Sequence, residues 1–156
     1  MAQPGGKLVL HVEEASLTRD NETFGTMDPY CQVIYNGTKH RSETHSDGGK
    51  HPKWNYRLEL EVLDVMDEIT FKVYNSNTFE DDQIAHTDAL KIYNLIGPNN
   101  GMTENHHMIY EKKNRGTIRV RTQYIPNAPA EVPEDPAAAQ MLEMQKQQME
   151  MQRLQL

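Results

Sequence analysis

The chain offers few residue groupings able to carry out a reaction. Its single cysteine, Cys31, lies in the run Cys31-Gln32-Val33-Ile34. Alternation there predicts a strand with Cys31 and Val33 pointing one way, so a small buried hydrophobe is expected rather than a nucleophile. One thiol cannot form an intramolecular disulfide or a Cys-based metal cluster. His106 and His107 are adjacent, and adjacent strand residues point to opposite faces, a poor arrangement for joint metal ligation. The 23 Asp and Glu residues show no pairing that reads as an acid/base couple. No G-x-S-x-G, P-loop, H-E-x-x-H or CxxC occurs. The sequence therefore predicts a non-enzymatic protein.

Two other groupings fit binding. Lys39, Arg41, Lys50, His51 and Lys53 fall close together, diluted by Glu43 and Asp47. They form either a mixed solvated strand face or a cationic surface, worth ~1 kcal/mol per basic residue at an anionic leaflet. Near the C-terminal end, Met141, Leu142, Met144, Met149, Met151, Leu154 and Leu156 are spaced among glutamines. Flexible methionines suit adaptable grooves.

The elements that must position these residues are mostly short strands. Leu8, Leu10 and Val12, then Leu58, Leu60 and Val62, then Ile69, Phe71 and Val73, then Ile118 and Val120, each alternate with polar or exposed partners. Further strand candidates are Lys39–His45, Ile84–Ile92 and His106–Glu111, with a short helical turn as an option around Asp88–Leu95. Asn36-Gly37 reads as a tight hairpin. Asp47-Gly48-Gly49, Gly97 to Gly101 and Asn114-Arg115-Gly116 read as further turns. About eight strands at this spacing predict an all-β antiparallel sandwich. After an N-terminal arm (1–6) and the sandwich (7–125), residues 126–136 hold four prolines and three acids, a semi-extended linker. Residues 137–156 are almost wholly good helix formers. An isolated helix of ~20 residues is marginal in water and calls for a partner. Docking into a protein groove, a short coiled coil and a frayed terminus remain open readings.

Charge narrows the partners. The 156 residues carry a net charge of −7; residues 1–125 hold 14 Lys/Arg against 18 Asp/Glu, a net of −4. Nucleic-acid binding is not expected from an acidic domain. No stretch of ~18 apolar residues exists, so no transmembrane segment is predicted. The start MAQPGGK has no apolar core, so no secretory signal is predicted. A cytoplasmic protein with peripheral membrane contact fits.

Four segments in order carry a family resemblance: ETFGTMDPYCQVIY (Glu22–Tyr35), HPKWNYRLELEV (His51–Val62), ITFKVYN (Ile69–Asn75) and EDDQIA (Glu80–Ala85). They resemble the C2 domain, whose pattern is an acid, a glycine and Asp-Pro-Tyr opening a strand, then Pro-x-Trp-Asn, then an acidic loop ending in Asp-Asp-x-Ile-Gly. The likeness spans roughly residues 5–125, and is greatest to small single-C2 proteins of plants and protists, including the plant elicitor-responsive type. Ala85 stands where the family usually has glycine. The resemblance implies an eight-stranded Greek-key β-sandwich with adjacent termini, Trp54 anchoring the core or the sheet junction, and no catalytic site.

It also implies a calcium position at Glu22, Asp28, Asn75, Asn77 and Asp82. Asparagine at two of five sites lowers the charge of the set from −5 to −3. One weakly bound Ca2+ or none is expected, since calcium takes ~6–8 oxygens, several of them anionic. The alternative is that these are ordinary Asn/Asp turn residues. Glu80 and Asp81 read as solvated turn residues. Lys39, Arg41, Lys50, His51 and Lys53 correspond to a region that in C2 domains often forms a cationic groove for anionic phospholipid or acidic partners. The expected function is a peripheral membrane and protein-binding module; a calcium-independent scaffold subunit of a large cytoskeletal or ciliary assembly is the alternative.

Overall fold

The computed structural model describes residues 5–19, 25–127 and 136–155. Among the described residues nine strands and two helices follow in order: β1 (Gly6–Leu17), β2 (Pro29–Tyr35), β3 (Thr38–Arg41), β4 (Lys53–Val62), β5 (Glu68–Asn75), β6 (Asp82–His86), β7 (Leu90–Lys91), α1 (Ile92–Ile96), β8 (Thr103–Tyr110), β9 (Lys113–Pro126) and α2 (Pro136–Gln155).

The alternating runs become strands because each buries one side. Inward residues from all the long strands meet in one core that includes Leu8, Leu10, Val33, Phe71, Val73, Ile84, Met108 and Ile118, with Cys31 fully buried among them. Strand order is β3-β2-β5-β6-β8-β9-β1-β4, all neighbours antiparallel. The β6–β8 link is a single bridge, His86 to Ile109. The path therefore folds at that bridge into two four-stranded layers, β3-β2-β5-β6 and β8-β9-β1-β4, with the core between them. The expected eight-stranded sandwich is present; two-residue β7 is an addition pairing with β5. The candidate strand Ile84–Ile92 resolves into β6, β7 and the start of α1.

β1 pairs with β9 from Gly6↔Pro126 to Leu17↔Gly116, and the Asn127 N–H donates to the Gly5 carbonyl at 2.9 Å. The two ends of the sandwich are thus adjacent. A bulge between Val12 and Glu14 shifts the phase of β1. Leu8, Leu10 and Val12 face inward before it, Ala15 and Leu17 after it, as one extra residue in a strand requires.

Asn36-Gly37 forms the expected hairpin turn, with φ of 50° and 77°. The expected turn at Asn114-Arg115-Gly116 is corrected. The β8–β9 turn is Glu111-Lys112, both at positive φ, and Gly116 lies inside β9. Gly116 is there for a close approach: a Cβ would sit 1.9 Å from the Ser16 carbonyl oxygen.

α2 begins at Pro136, where a missing N–H is tolerated in a first helical turn. Its side chains at 140, 141 and 143–151 are exposed.

Candidate functional site

The turn ends of β2, β5 and β6 bring the carried-over residues to one rim. Register sets Pro29 opposite Asn75 and Asn75 opposite Asp82, so Asp28, Asn75 and Asp82 lie across three adjacent strand ends. Asn77 sits in the following β5–β6 loop. Glu22 lies outside the described residues.

Hydrogen bonds tie this rim together. Asn75 is 1% exposed, and its side-chain oxygen accepts the Asp28 N–H at 2.8 Å. Asp28 Oδ1 accepts the Asp47 N–H at 2.7 Å. The Asn77 amide group donates to Asp82 Oδ2 at 2.8 Å and to the Glu80 carbonyl at 3.1 Å. An N–H donor from Asn77 thus meets a carboxylate that a cation would otherwise need.

Asp81 is the correction to the sequence reading. Rather than a solvated turn residue, it accepts the Tyr30 hydroxyl at 2.6 Å and the Asn77 N–H at 2.9 Å, with Arg41 at 4.0 Å. The Tyr30 bond, then the Asn77 bond, hold its carboxyl below the usual carboxylate range. Burial first, and the Asp81 bond second, push the Tyr30 hydroxyl up to about 12. These residue types fit calcium poorly. The amide of Asn75 and one oxygen of Asp28 hold backbone N–H groups, and Asp81 holds Tyr30. Among the described residues no three of His, Cys, Asp or Glu gather into a metal-holding group.

The outer face of the first layer adjoins this rim. Arg41, Gln32, Lys72 and His86 form one row across β3, β2, β5 and β6, and Lys39, Ile34 and Thr70 form the next. Arg41 lies 3.6 Å over the Tyr30 ring, which stacks on Tyr74 at 5.5 Å. Lys39 and Arg41 therefore share a face with Lys72, which sequence reasoning missed because its neighbours are distant in the chain. Lys50, His51 and Lys53 do not extend that face. The 42–52 connection crosses to the second layer, where Lys50 and Pro52 carbonyls accept the Leu17 and Ala15 N–H groups. Trp54 closes the junction, half-buried against the core with its indole N–H donating to the Pro29 carbonyl at 3.0 Å.

A second missed residue is Phe79, which projects fully exposed (100%) from the β5–β6 loop. Its signal in the sequence is one aromatic inside the polar run Ser76-Asn77-Thr78-Phe79-Glu80-Asp81. The tail residues Met141, Met144, Met149 and Met151 are exposed on α2. The side chains of Leu142 and Leu154, and all of Leu156, lie outside the described residues. His106 faces inward and His107 outward, and burial holds the His106 imidazole below its ordinary value.

A two-layer antiparallel sandwich with acid-bearing loops gathered at one rim, beside a basic and aromatic sheet face, defines the class of C2-like sandwiches. The C2 domain family model matches residues 6–100, and the chain belongs to that family. It is 25% identical over 140 residues to Elicitor-responsive protein 1 of Oryza sativa subsp. japonica, covering 81% of this chain and 88% of that protein. It is 26% identical over 136 residues to Tricalbin-1 of Saccharomyces cerevisiae, covering 81% of this chain and spanning only 12% of that protein. Among solved structures, the C2A domain of a plant Extended Synaptotagmin 1 superposes with a TM-score of 0.71 at 18% identity, covering 81% of this chain and 99% of that one. Among the described residues no helix is long and apolar enough to cross a membrane.

Proposed function

We propose that the chain is a non-enzymatic C2 module that docks on anionic phospholipid surfaces with little or no calcium dependence, while α2 engages a protein partner. The observation that carries this reading is Phe79. A fully exposed phenylalanine at a loop tip is disfavoured in water, and burying one in an acyl boundary is worth about 1.5–3 kcal/mol. It stands beside a rim already cross-linked by Asn75, Asn77 and Tyr30, so the loop needs no ion to take its shape. Lys39 and Lys72 on the adjoining face supply attraction to an anionic leaflet of ~1 kcal/mol each. At most one weakly held Ca2+ adds to this, since of the five positions carried over by resemblance only Glu22, Asp28 and Asp82 are acidic, too few to offset dehydration of more.

The experiment is vesicle co-sedimentation with phosphatidylserine in phosphatidylcholine, in calcium and in chelator, on the full chain and on a chain ended after Ala128. Equal binding in calcium and chelator, unchanged by truncation, is the expected result. Binding that appears only in calcium overturns the calcium-independent part. Absence of lipid binding, with a native protein complex lost on truncation, overturns the membrane part in favour of a structural subunit.

A further inference from the structure

The outer face of the second layer carries a basic row that the membrane reading does not use. Register sets Arg57 of β4 beside His11 of β1 and His11 beside Arg121 of β9. All three point outward, because Leu10, Val12 and Val120 of the same strands point into the core. Neighbouring strands are about 4.8 Å apart, so two guanidinium side chains flank one imidazole within about 10 Å.

The surrounding charges are partly spoken for. Glu59 takes Arg57 at 2.6 Å and Lys7 at 3.6 Å, and Glu13 takes Arg119 at 3.6 Å. Among the described residues no carboxylate lies within 4 Å of Arg121 or His11. Val9, next along the same face, is only 4% exposed. On the same face, toward the rim, lies a polar depression of about 270 Å³ lined by Glu14, Ser16, His51, Asn105, Thr117 and Arg119.

We propose that the Arg57–His11–Arg121 row is a second binding face that takes a phosphomonoester carried on a protein segment. A phosphomonoester dianion has three acceptor oxygens, and guanidinium groups bind phosphate through paired N–H donors. A carboxylate offers the same row one charge and two oxygens, against up to two charges and three oxygens from the phosphomonoester. The row lies on the layer opposite Lys39 and Lys72. With the rim and first layer on lipid, it stays open to a soluble partner; the choice of a protein-borne phosphate over a lipid headgroup rests on that reading.

Burial, then Arg121 and Arg57, hold the His11 imidazole below its ordinary value, opposed by Glu13. The charged groups around it are Glu13 on β1, Arg121 and Arg119 on β9, and Arg57 and Glu59 on β4. A bound dianion reverses the local field, so His11 then titrates at higher pH.

The test uses the full chain and two short Gly/Ala peptides, one with a single phosphothreonine and one unphosphorylated, followed by fluorescence anisotropy. The expected result is a preference for the phosphorylated peptide that drops by roughly tenfold or more in R57Q/R121Q. Histidine NMR should show the His11 titration moving to higher pH with the phosphopeptide. Equal binding of both peptides, or an unmoved His11 titration, overturns the proposal. Loss of vesicle binding in R57Q/R121Q also overturns it, by assigning the row to lipid. The outward positions should leave melting unchanged; Arg121→Gln alone serves as the second variant. If the parent binds no vesicles, the membrane reading fails while the peptide comparison still stands on its own.

Discussion

At the scale of single residues, amide and phenol hydrogen bonds tie the rim together. Asn77 is the clearest case, since its amide N–H groups face Asp82 and Glu80. Asn77→Asp sets a third carboxylate against Asp81 and Asp82. We expect a loss of about 1 kcal/mol in chelator, recovered in millimolar calcium. Thermal melts in the two conditions check this, and coincident melts would contradict it. Tyr30 supplies a second case. Its bond lowers the Asp81 pKa in the folded state, so the stabilisation is fully present above the ordinary carboxylate value. It fades as pH falls through the lowered folded value. Tyr30→Phe should therefore lower stability at neutral pH and flatten the acid limb of the stability curve, read from denaturant melts between neutral pH and about pH 3. Cys31 lies fully buried, and burial alone pushes its thiol up. A thiol reagent should leave it untouched in the folded chain and label it after unfolding.

At the scale of elements, alternation made the sandwich readable, and the departures from it each have a physical origin. Leu58 to Val62 and Ile69 to Val73 kept a strict period of two because both segments pair in unbroken register; the irregularity of β4 lies earlier, at Asn55, with φ of 47°. β1 did not, because the bulge after Val12 moves the inward set to Ala15 and Leu17. A periodicity scan sees only the first half of such a strand. The β8–β9 turn was hidden for a related reason. Glu111 and Lys112 adopt positive φ without being glycine or asparagine, whereas the glycine nearby serves packing. Gly116→Ala tests that assignment. With φ at 121° and a carbonyl in the place of the new Cβ, it should cost roughly 2 kcal/mol or more, measured by urea melts. The candidate site was legible where residues carry a motif, as at Asp28-Pro29-Tyr30. It was illegible where strand register assembles it, as for Lys72 beside Arg41 and Arg121 beside His11. Lys50, His51 and Lys53 show the converse: close in sequence to Lys39, they cross to the other layer.

At the scale of the whole molecule, the proposed function separates three tasks. On that reading one rim and one sheet face meet lipid, the opposite face meets a phosphorylated partner, and α2 offers its exposed methionines to a protein. The central claim is that Phe79 enters the acyl boundary of the bilayer. Cys31 is buried, so Phe79→Cys places one reactive thiol at the loop tip for a nitroxide label. The decisive measurement is electron paramagnetic resonance of that label on phosphatidylserine vesicles in chelator, comparing collisions with oxygen and with a water-soluble nickel complex. Oxygen collisions that rise while nickel collisions fall are the predicted result. A label that stays fully accessible to nickel while the protein is vesicle-bound would contradict the account.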